Sequence, residues 1–214
     1  MNYIKLKNGP IEENSYIVWD DMSLEGAIID PGFTEISEFN KHIKENNISI
    51  KYIIDTHGHW DHIRNNKLVK DEYGAKLLIH KDDQEFLINP QLNLSYYYDK
   101  EVDVTTADIL LSDEDEIMLG NEVLKVMHTP GHTKGSIILY NDDLAFTGDT
   151  LFFGSIGRCD LPSSDKDIMI DTIAKYKKLL PKEAIILPGH GNMESTFSEQ
   201  LEINPFLTGK MTPK

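Results

Sequence analysis

The chain has 214 residues, with 21 Lys and Arg against 36 Asp and Glu, which gives a formal net charge of −15 at pH 7. This length suffices for one buried core, so we expect a single domain over residues 1–214. Hydrophobic residues make up 40% of the chain and charged residues 27%, which argues against a disordered or fibrous protein. The acidic balance argues against nucleic acid and anionic membranes as partners, because both bind basic surfaces.

The cysteine content and the apolar runs indicate the compartment. Cys159 is the single cysteine, so no disulfide can form within the chain. No apolar run follows the N-terminal charges, which argues against a signal peptide, and stretches such as 184–187 are far too short to span a membrane. We therefore expect a soluble cytoplasmic protein, and the sequence leaves its oligomeric state open.

Short β-branched runs alternate with helical patterns through the N-terminal half of the chain. Strands are predicted over residues 16–19, 27–29, 51–54 and 76–79. Helices are predicted over residues 34–45, 61–73 and 81–87. The stretch 88–107 has no clear periodicity, and a loop of that length in a compact domain is more often functional than idle.

Two hairpins and two helices are predicted in the C-terminal half. The first hairpin covers residues 116–127, and the second joins the strands 136–140 and 144–147. Helices are predicted over 165–180 and 194–203, with the strand 184–187 between them. This mixture predicts an α/β protein in which two sheets pack together and the helices lie outside.

The most informative segment, Thr56-His57-Gly58-His59-Trp60-Asp61-His62, follows the predicted strand 51–54. Residues two apart on an extended chain point the same way, so His57 and His59 can bind one metal ion together. Asp61 and His62 lie at the start of the next helix, where the chain turns and can present them to a second ion. Imidazole and carboxylate are ligands that suit zinc, iron or manganese.

Three further segments each place a histidine or an aspartate in a tight, glycine-containing turn after an apolar strand. These residues are His132 in 129–133, Asp149 in 147–152 and His190 in 188–191. Each signal is weak alone, because a histidine beside glycine is often an ordinary loop residue. Together, in this order after strands, they can complete a metal site.

These residues, with Ile29-Asp30-Pro31-Gly32, resemble the metallo-β-lactamase superfamily over nearly the whole chain. Residues 153–162 are similar to the Gly-Arg-Thr-Asp stretch of its glyoxalase II-like branch, the hydroxyacylglutathione hydrolases. The resemblance implies a four-layer αβ/βα sandwich, two mixed β-sheets flanked by helices, with the site along one edge of the sheets. It also implies two divalent ions, zinc first and iron or manganese as alternatives, one on His57, His59 and His132, the other on Asp61, His62 and His190, with Asp149 bridging them.

The ligand set indicates the chemistry. Paired catalytic metals hold a water or hydroxide between them, and metal binding lowers the pKa of water from 15.7 to about 7. We expect this hydroxide to attack a carbonyl, with Asp61 and Asp149 as catalytic residues. With five of the eight histidines as ligands, no histidine is obviously free to protonate a poor leaving group, so a thioester fits better than an amide. The predicted substrate is a thioester of the S-lactoylglutathione type.

Departures from the family pattern leave alternatives open. Asp149 stands where some β-lactamases of the superfamily have a cysteine ligand, which disfavours antibiotic hydrolysis. Only 24 residues follow His190, too few for the helical extension that helps glyoxalase II to bind glutathione. Persulfide dioxygenases look similar and would use a single iron on His57, His132 and Asp149. A lactonase and a non-catalytic metal-binding protein are further alternatives.

Two charged residues outside the ligand set have competing interpretations. Asp30 either orients a metal ligand or closes its own Pro-Gly turn. Arg158 either meets an anionic substrate or, as we favour, pairs with Asp160.

Aromatic residues and the remaining histidines are interpreted in the same way. Tyr96, Tyr97 and Tyr98 either line the cleft or, as we favour, pack the long loop down. We expect His128 to be a hydrogen-bonded neighbour of the site and His80 to be structural or at its rim.

Overall fold

The computed structural model describes residues 1–9, 11–98 and 102–214. Its strands are β1 (Asn2–Asn8), β2 (Glu13–Trp19), β3 (Glu25–Ile29), β4 (Ser49–Ile54), β5 (Lys76–His80), β6 (Ile109–Leu111), β7 (Glu116–Leu119), β8 (Glu122–His128), β9 (Ile137–Tyr140), β10 (Leu144–Gly148), β11 (Leu151–Phe152), β12 (Ser155–Ile156), β13 (Ile185–Pro188) and β14 (Ser195–Thr196). Its α-helices are α1 (Ile36–Glu45), α2 (Trp60–Ile63), α3 (Asn66–Tyr73), α4 (Ser95–Tyr98), α5 (Lys166–Leu179) and α6 (Phe197–Ile203). A 3₁₀ helix covers Lys81–Leu87.

Most of the strands form two mixed, six-stranded sheets. The first sheet has the order β1-β2-β3-β4-β5-β6, antiparallel as far as β3 and parallel beyond it. The second has the order β14-β13-β10-β9-β8-β7, in which β10 and β13 form the parallel pair. Strands β11 and β12 form a separate short hairpin.

Alternating side chains of the two sheets build the core between them. Tyr16 and Val18 of β2 point into this core, while Ile17 points to the opposite face of its sheet. From the second sheet, Phe146 is fully buried in the same core, and its ring lies edge-on to Tyr16 with the centroids 5.2 Å apart. Burial on both faces explains why these strands read as β-branched and aromatic runs.

Helices cover the outer faces of both sheets. Phe39 of α1 and Val69 of α3 are buried against the first sheet, and Met169 of α5 and Phe197 of α6 against the second. The order of layers is therefore helices, sheet, sheet, helices, which confirms the predicted αβ/βα sandwich. No helix in the described part of the chain has the length and apolarity needed to cross a membrane.

Three predicted elements differ from the structure. The helix predicted over 194–203 begins only at Phe197, because Ser195 and Thr196 pair with β13 as β14 and Thr196 caps α6. The helix predicted over 61–73 is two helices, because the His62 carbonyl accepts a hydrogen bond from Gly32 N (2.9 Å) and Asn65 Nδ2 donates to Thr34 O (2.9 Å). These bonds tie the end of α2 to the segment after β3, and the chain leaves the helical path there. The predicted loop 88–107 contains α4, and its residues 99–101 lie outside the described part of the chain.

Candidate metal centre

The carboxyl ends of five strands meet at one edge of the two sheets. In the first sheet, β3 is followed by Asp30 and β4 by the segment 56–62. In the second sheet, β8, β10 and β13 are followed by His132, Asp149 and His190. The side chains that the sequence singles out therefore converge from both sheets, at the kind of edge where open α/β sheets bind ligands.

The first cluster is the three-His group, formed by His57, His59 and His132. Its ligand atoms lie within 4.8 Å of one another, and Nδ1 of His59 is 3.0 Å from Nε2 of His132. All three side chains are buried. This spacing suits an ion that binds imidazole nitrogens at about 2.0–2.1 Å.

The second cluster is the mixed group, formed by Asp61, His62 and His190. Oδ2 of Asp61 lies 3.5 Å from Nε2 of His62 and 3.2 Å from Nε2 of His190. Asp61 and His62 belong to α2, at the start of the helix that follows β4, whereas His190 comes from the second sheet. The cluster therefore forms only where the two sheets meet.

Asp149 lies between the two groups. Its Oδ2 is 3.5 Å from Nε2 of His132 and 3.6 Å from Nε2 of His190, and its Oδ1 is 3.5 Å from Nε2 of His62. Its carboxylate thus reaches ligand atoms of both the three-His group and the mixed group. This is the position that a bridging ligand requires.

Hydrogen bonds at the outer ring nitrogens orient the imidazoles. Nδ1 of His132 and of His190 lie 2.8 and 3.2 Å from main-chain carbonyl oxygens, and Nδ1 of His62 lies 2.9 Å from Oδ2 of Asp30. Since carbonyl and carboxylate oxygens only accept hydrogen bonds, each of these Nδ1 atoms carries a proton. Nε2 is the nitrogen left to face the centre, as in imidazoles that bind metal through a ring held by an outer partner.

Buried atoms of the centre have no hydrogen-bond partner within the described residues. They are Nε2 of His57 and of His62, and Oδ1 of Asp149, whereas His59 faces the centre with its Nδ1. Buried polar atoms are normally paired, and a metal ion accepts the lone pairs that these atoms offer. Five imidazoles and two carboxylates therefore fit divalent ions such as zinc, iron or manganese.

The electrostatics of the two groups differ. Burial lowers the pKa of each imidazole in the three-His group, and neighbouring imidazoles add to this effect. Burial also opposes the charged forms of His62 and His190, but Asp61 and Asp149 outweigh it and raise both pKa values. Burial alone would raise the pKa of Asp61, yet the imidazoles, led by His62, hold it well below its usual range. The three-His group thus favours neutral rings, and the mixed group favours charged pairs.

Asp30 connects β3 to the ligand segment. Its Oδ1 accepts a hydrogen bond from Thr56 N (2.7 Å), and its Oδ2 accepts from Thr56 Oγ1 (2.7 Å) and from His62 (2.9 Å). Thr56 Oγ1 also lies 3.2 Å from Nδ1 of His57. Asp30 is therefore in contact with one ligand directly and with another through Thr56. Thr56 cannot be identified from the sequence, because a threonine before the motif carries no signal of its own.

A cavity of about 390 Å³ opens onto the centre. Apart from the candidate ligands, its walls are mainly apolar and include Trp60, Leu94 and Phe152. Arg158 lines the cavity, and its guanidinium donates to both carboxylate oxygens of Asp160 at 2.7 and 2.9 Å. The favoured Arg158–Asp160 pair is therefore confirmed.

The expectation that three consecutive tyrosines pack the long loop down is wrong. Tyr96, Tyr97 and Tyr98 are 68%, 62% and 52% exposed. They occupy the four-residue helix α4, where consecutive side chains point in different directions and cannot all face the core. Tyr98 lines the cavity instead, and its ring lies 5.5 Å from that of Trp60.

His80 and His128 lie outside the centre. Their rings stack with centroids 4.0 Å apart and planes 14° apart, and Asp82 completes a further cluster of possible ligand atoms. An imidazole binds a metal ion in the plane of its ring, and two stacked planes do not meet at one ion. Nε2 of His128 is 2.8 Å from the carbonyl oxygen of Lys134, so this ring is hydrogen-bonded as expected.

Comparison of sequences identifies the family. The model of the metallo-beta-lactamase superfamily matches residues 8–190. The probable metallo-hydrolase YqgX of Bacillus subtilis is 34% identical over 213 residues, which cover 98% of this chain and 99% of the relative. Hydroxyacylglutathione hydrolase GloC of Haemophilus influenzae is 34% identical over 205 residues, 93% of this chain and 94% of the relative.

Solved structures share the fold. The B3 metallo-beta-lactamase BLEG-1 has a TM-score of 0.89 at 32% identity, covering 97% of this chain and 100% of the other. TTHA1623, solved in a di-iron-bound form, has a TM-score of 0.82 at 26% identity, covering 95% and 100%. ETHE1 from Myxococcus xanthus has the same fold, with a TM-score of 0.83 at 24% identity, covering 98% and 85%. The chain therefore belongs to the metallo-beta-lactamase superfamily, and this membership supports metal-dependent hydrolysis.

Proposed function

We propose that this protein is a metal-dependent hydrolase of thioesters of the S-lactoylglutathione type. The observation that carries the proposal is the pair of ligand groups on either side of Asp149, at the base of an open cavity. Two divalent ions bound there would lower the pKa of a water molecule towards neutrality and polarise the carbonyl of the substrate. The 34% identity to hydroxyacylglutathione hydrolase GloC supports this class of substrate.

The residues of the chain have separate tasks in this proposal. The three-His group would hold one ion and the mixed group the other, with Asp149 between them. Asp61 and Asp149 both line the cavity, where their carboxylates could accept hydrogen bonds from the attacking water and so orient it. Asp30 keeps the His62 ring oriented from behind, which frees Nε2 for the ion.

The cavity favours a good leaving group. The described residues that line it include no histidine, aspartate or glutamate beyond the candidate ligands, and Arg158 is already paired with Asp160. Apart from the hydroxyl of Tyr98, whose ring lies near Trp60, these described residues offer no free acid to protonate an amine as it leaves. A thiolate leaves without such help, and so a thioester suits this cavity better than an amide.

The test is turnover by reconstituted protein. The metal-free protein, loaded in turn with zinc, iron or manganese, should hydrolyse S-lactoylglutathione, measured as loss of thioester absorbance and release of free thiol. Asp149→Asn should lower kcat by at least about 10³-fold, because it changes the ligand shared by both groups. Asp142→Asn, which alters an exposed aspartate, is the matched control and should retain full activity. Bound metal without turnover would contradict the proposal.

Other activities are separate arms of the same experiment. A persulfide dioxygenase would consume oxygen with glutathione persulfide and carry one iron per chain. The 32% identity to the metallo-beta-lactamase BLEG-1 makes a β-lactam a necessary arm as well. A homoserine lactone tests the lactonase alternative. Higher kcat/KM in any of these arms than with S-lactoylglutathione would replace the proposed substrate.

A further inference from the structure

Asp83 is a fully buried carboxylate that lies outside the candidate ligand set. It belongs to the 3₁₀ helix Lys81–Leu87, and burial raises its pKa to about 6. Its Oδ2 accepts hydrogen bonds from Gly58 N (2.9 Å) and Thr133 Oγ1 (2.7 Å), and its Oδ1 accepts from Gly135 N (2.7 Å). One side chain thus joins two loops that are distant in sequence.

These two loops carry the three-His group. The first ligand loop, residues 56–59, holds Gly58 between two of the histidines, and the second ligand loop, residues 129–136, holds Thr133 directly after His132. The facing nitrogens of His59 and His132 are 3.0 Å apart. Any change in the separation of the loops would therefore change the distance between these two nitrogens.

The contacts around Asp83 are so close that neither loop has room to shift towards the 3₁₀ helix. A Cβ added to Gly135 would lie 2.5 Å from the main-chain nitrogen of Asp83, and a Cβ added to Gly58 would collide with Phe86 of the same 3₁₀ helix. Both loops therefore rest directly on this helix. The second ligand loop is also braced internally, since Thr133 N donates to Ser136 Oγ (3.1 Å).

We infer that Asp83 is a positioning residue that holds the two ligand loops at the separation at which the three-His group binds its ion. This inference rests on the metal centre proposed above and not on the choice of substrate. Among the described residues, the Asp83 carboxylate bonds only to these two loops, and the mixed group lies elsewhere, in α2 and after β13. Loss of Asp83 should therefore affect one ion and spare the other.

The experiment is calorimetric titration of metal-free protein with zinc, with bound metal counted by mass spectrometry. Asp83→Asn keeps the shape of the side chain but replaces one acceptor oxygen by a donor, so a buried N–H of Gly58 or Gly135 loses its partner. We expect one of two zinc dissociation constants to rise by about 10–100-fold, the usual effect of losing an outer partner of a metal site. His132→Ala should remove the zinc-binding step of the three-His group, and His190→Ala should remove that of the mixed group. Asp83→Asn should weaken the step that His132→Ala removes.

Asp55→Asn is the matched control. Asp55 is also fully buried with a raised pKa, but its Oδ2 accepts from Asn66 Nδ2 (2.6 Å) rather than from a ligand loop. Its substitution should leave both zinc constants within about threefold of the unaltered protein. Equal weakening of both steps, or equal effects of Asp83→Asn and Asp55→Asn, would overturn the inference.

Thr133 gives a second, milder variant in case Asp83→Asn does not fold. Thr133→Val removes one of the three hydrogen bonds to Asp83 and should weaken the same zinc step by about 3–10-fold, whereas Thr133→Ser should restore it. A wild-type protein that binds no metal would refute the centre itself. A protein that binds two ions with the same affinities in all Asp83 and Thr133 variants would refute the positioning role alone.

Discussion

Gly189→Ala adds a single methyl group beside the candidate centre and so tests its geometry. Gly189 lies between β13 and His190, and its φ is not in the left-handed region, so alanine is allowed there by the backbone. The added Cβ would lie 2.7 Å from Cε1 of His62 and nearer still to Oδ1 of Asp149. Ordinary contact begins at 3.4 Å, so the His62 ring must move by about 0.7 Å or the carboxylate must swing away.

This displacement is large for a metal site and small for the fold. Ligand distances in functioning sites stay within about 0.2 Å of their ordinary values, so we expect zinc affinity to fall by at least about 100-fold. The atom nearest the added Cβ is an oxygen at the end of the Asp149 side chain, and this side chain can rotate without moving the backbone. Unfolding of the metal-free protein should therefore change by no more than about 1 kcal/mol.

Gly26→Ala is the matched control. Its added Cβ would lie 2.7 Å from the carbonyl oxygen of Val18 and 2.8 Å from Cγ2 of Ile48, far from the centre and against the backbone of a neighbouring strand. We expect it to cost about 1–3 kcal/mol in urea unfolding and to leave zinc binding unchanged. The reasoning is refuted if Gly189→Ala binds two zinc ions with wild-type affinity, or if both variants lose metal and stability together.

Three further results are expected. Zinc titration of metal-free protein at pH 8 and then at pH 6 should weaken the step of the mixed group more than that of the three-His group. Because their pKa values are raised, the His62 and His190 rings are more often protonated at pH 6. The proton on Nε2 must then be released before that nitrogen can bind an ion. Equal calorimetric losses at both steps would argue against this difference. Asp30→Asn removes the carboxylate behind His62 and should weaken zinc binding about 10–100-fold, measured by competition with a chromogenic chelator. Phe146→Ala should lower the free energy of unfolding by about 3–5 kcal/mol in urea, whereas the more exposed Phe153→Ala should cost far less.

The convergence of the candidate ligands could be predicted because most of the signal is local. Four of the seven candidate ligands occupy one short segment after a strand, and each of the other three follows its own apolar strand. Strands that run in the same direction end at the same sheet edge, so the placement of each ligand after a strand already suggested their meeting in space. The resemblance to a known family then supplied the pairing of ligands with ions, which spacing alone left open.

Asp83 could not be predicted in this way. In the sequence it follows Lys81 and Asp82 at the start of a short helical pattern, where an aspartate usually faces water. Its partners Gly58 and Thr133 are 25 and 50 residues away. A buried carboxylate and an exposed one look the same in such a segment, since burial depends on which loops fold over it.

The break between α2 and α3 shows a similar limit. The apolar spacing continues through Arg64 and Asn65, so periodicity alone predicts one helix. What ends α2 is the bond from Gly32 N to the His62 carbonyl, made by a segment thirty residues earlier in the chain. Tertiary hydrogen bonds of this kind override local helical preference.

The candidate ligands come from both sheets, with His57, His59, Asp61 and His62 on one and His132, Asp149 and His190 on the other. Bound ions would therefore cross-link the two sheets and would be released when the sheets separate on unfolding. By mass action, each ion present at 100 times its dissociation constant raises the free energy of unfolding by about 2.7 kcal/mol. The melting temperature of this protein would thus report the free metal concentration around it, and chelators would act on it as denaturants.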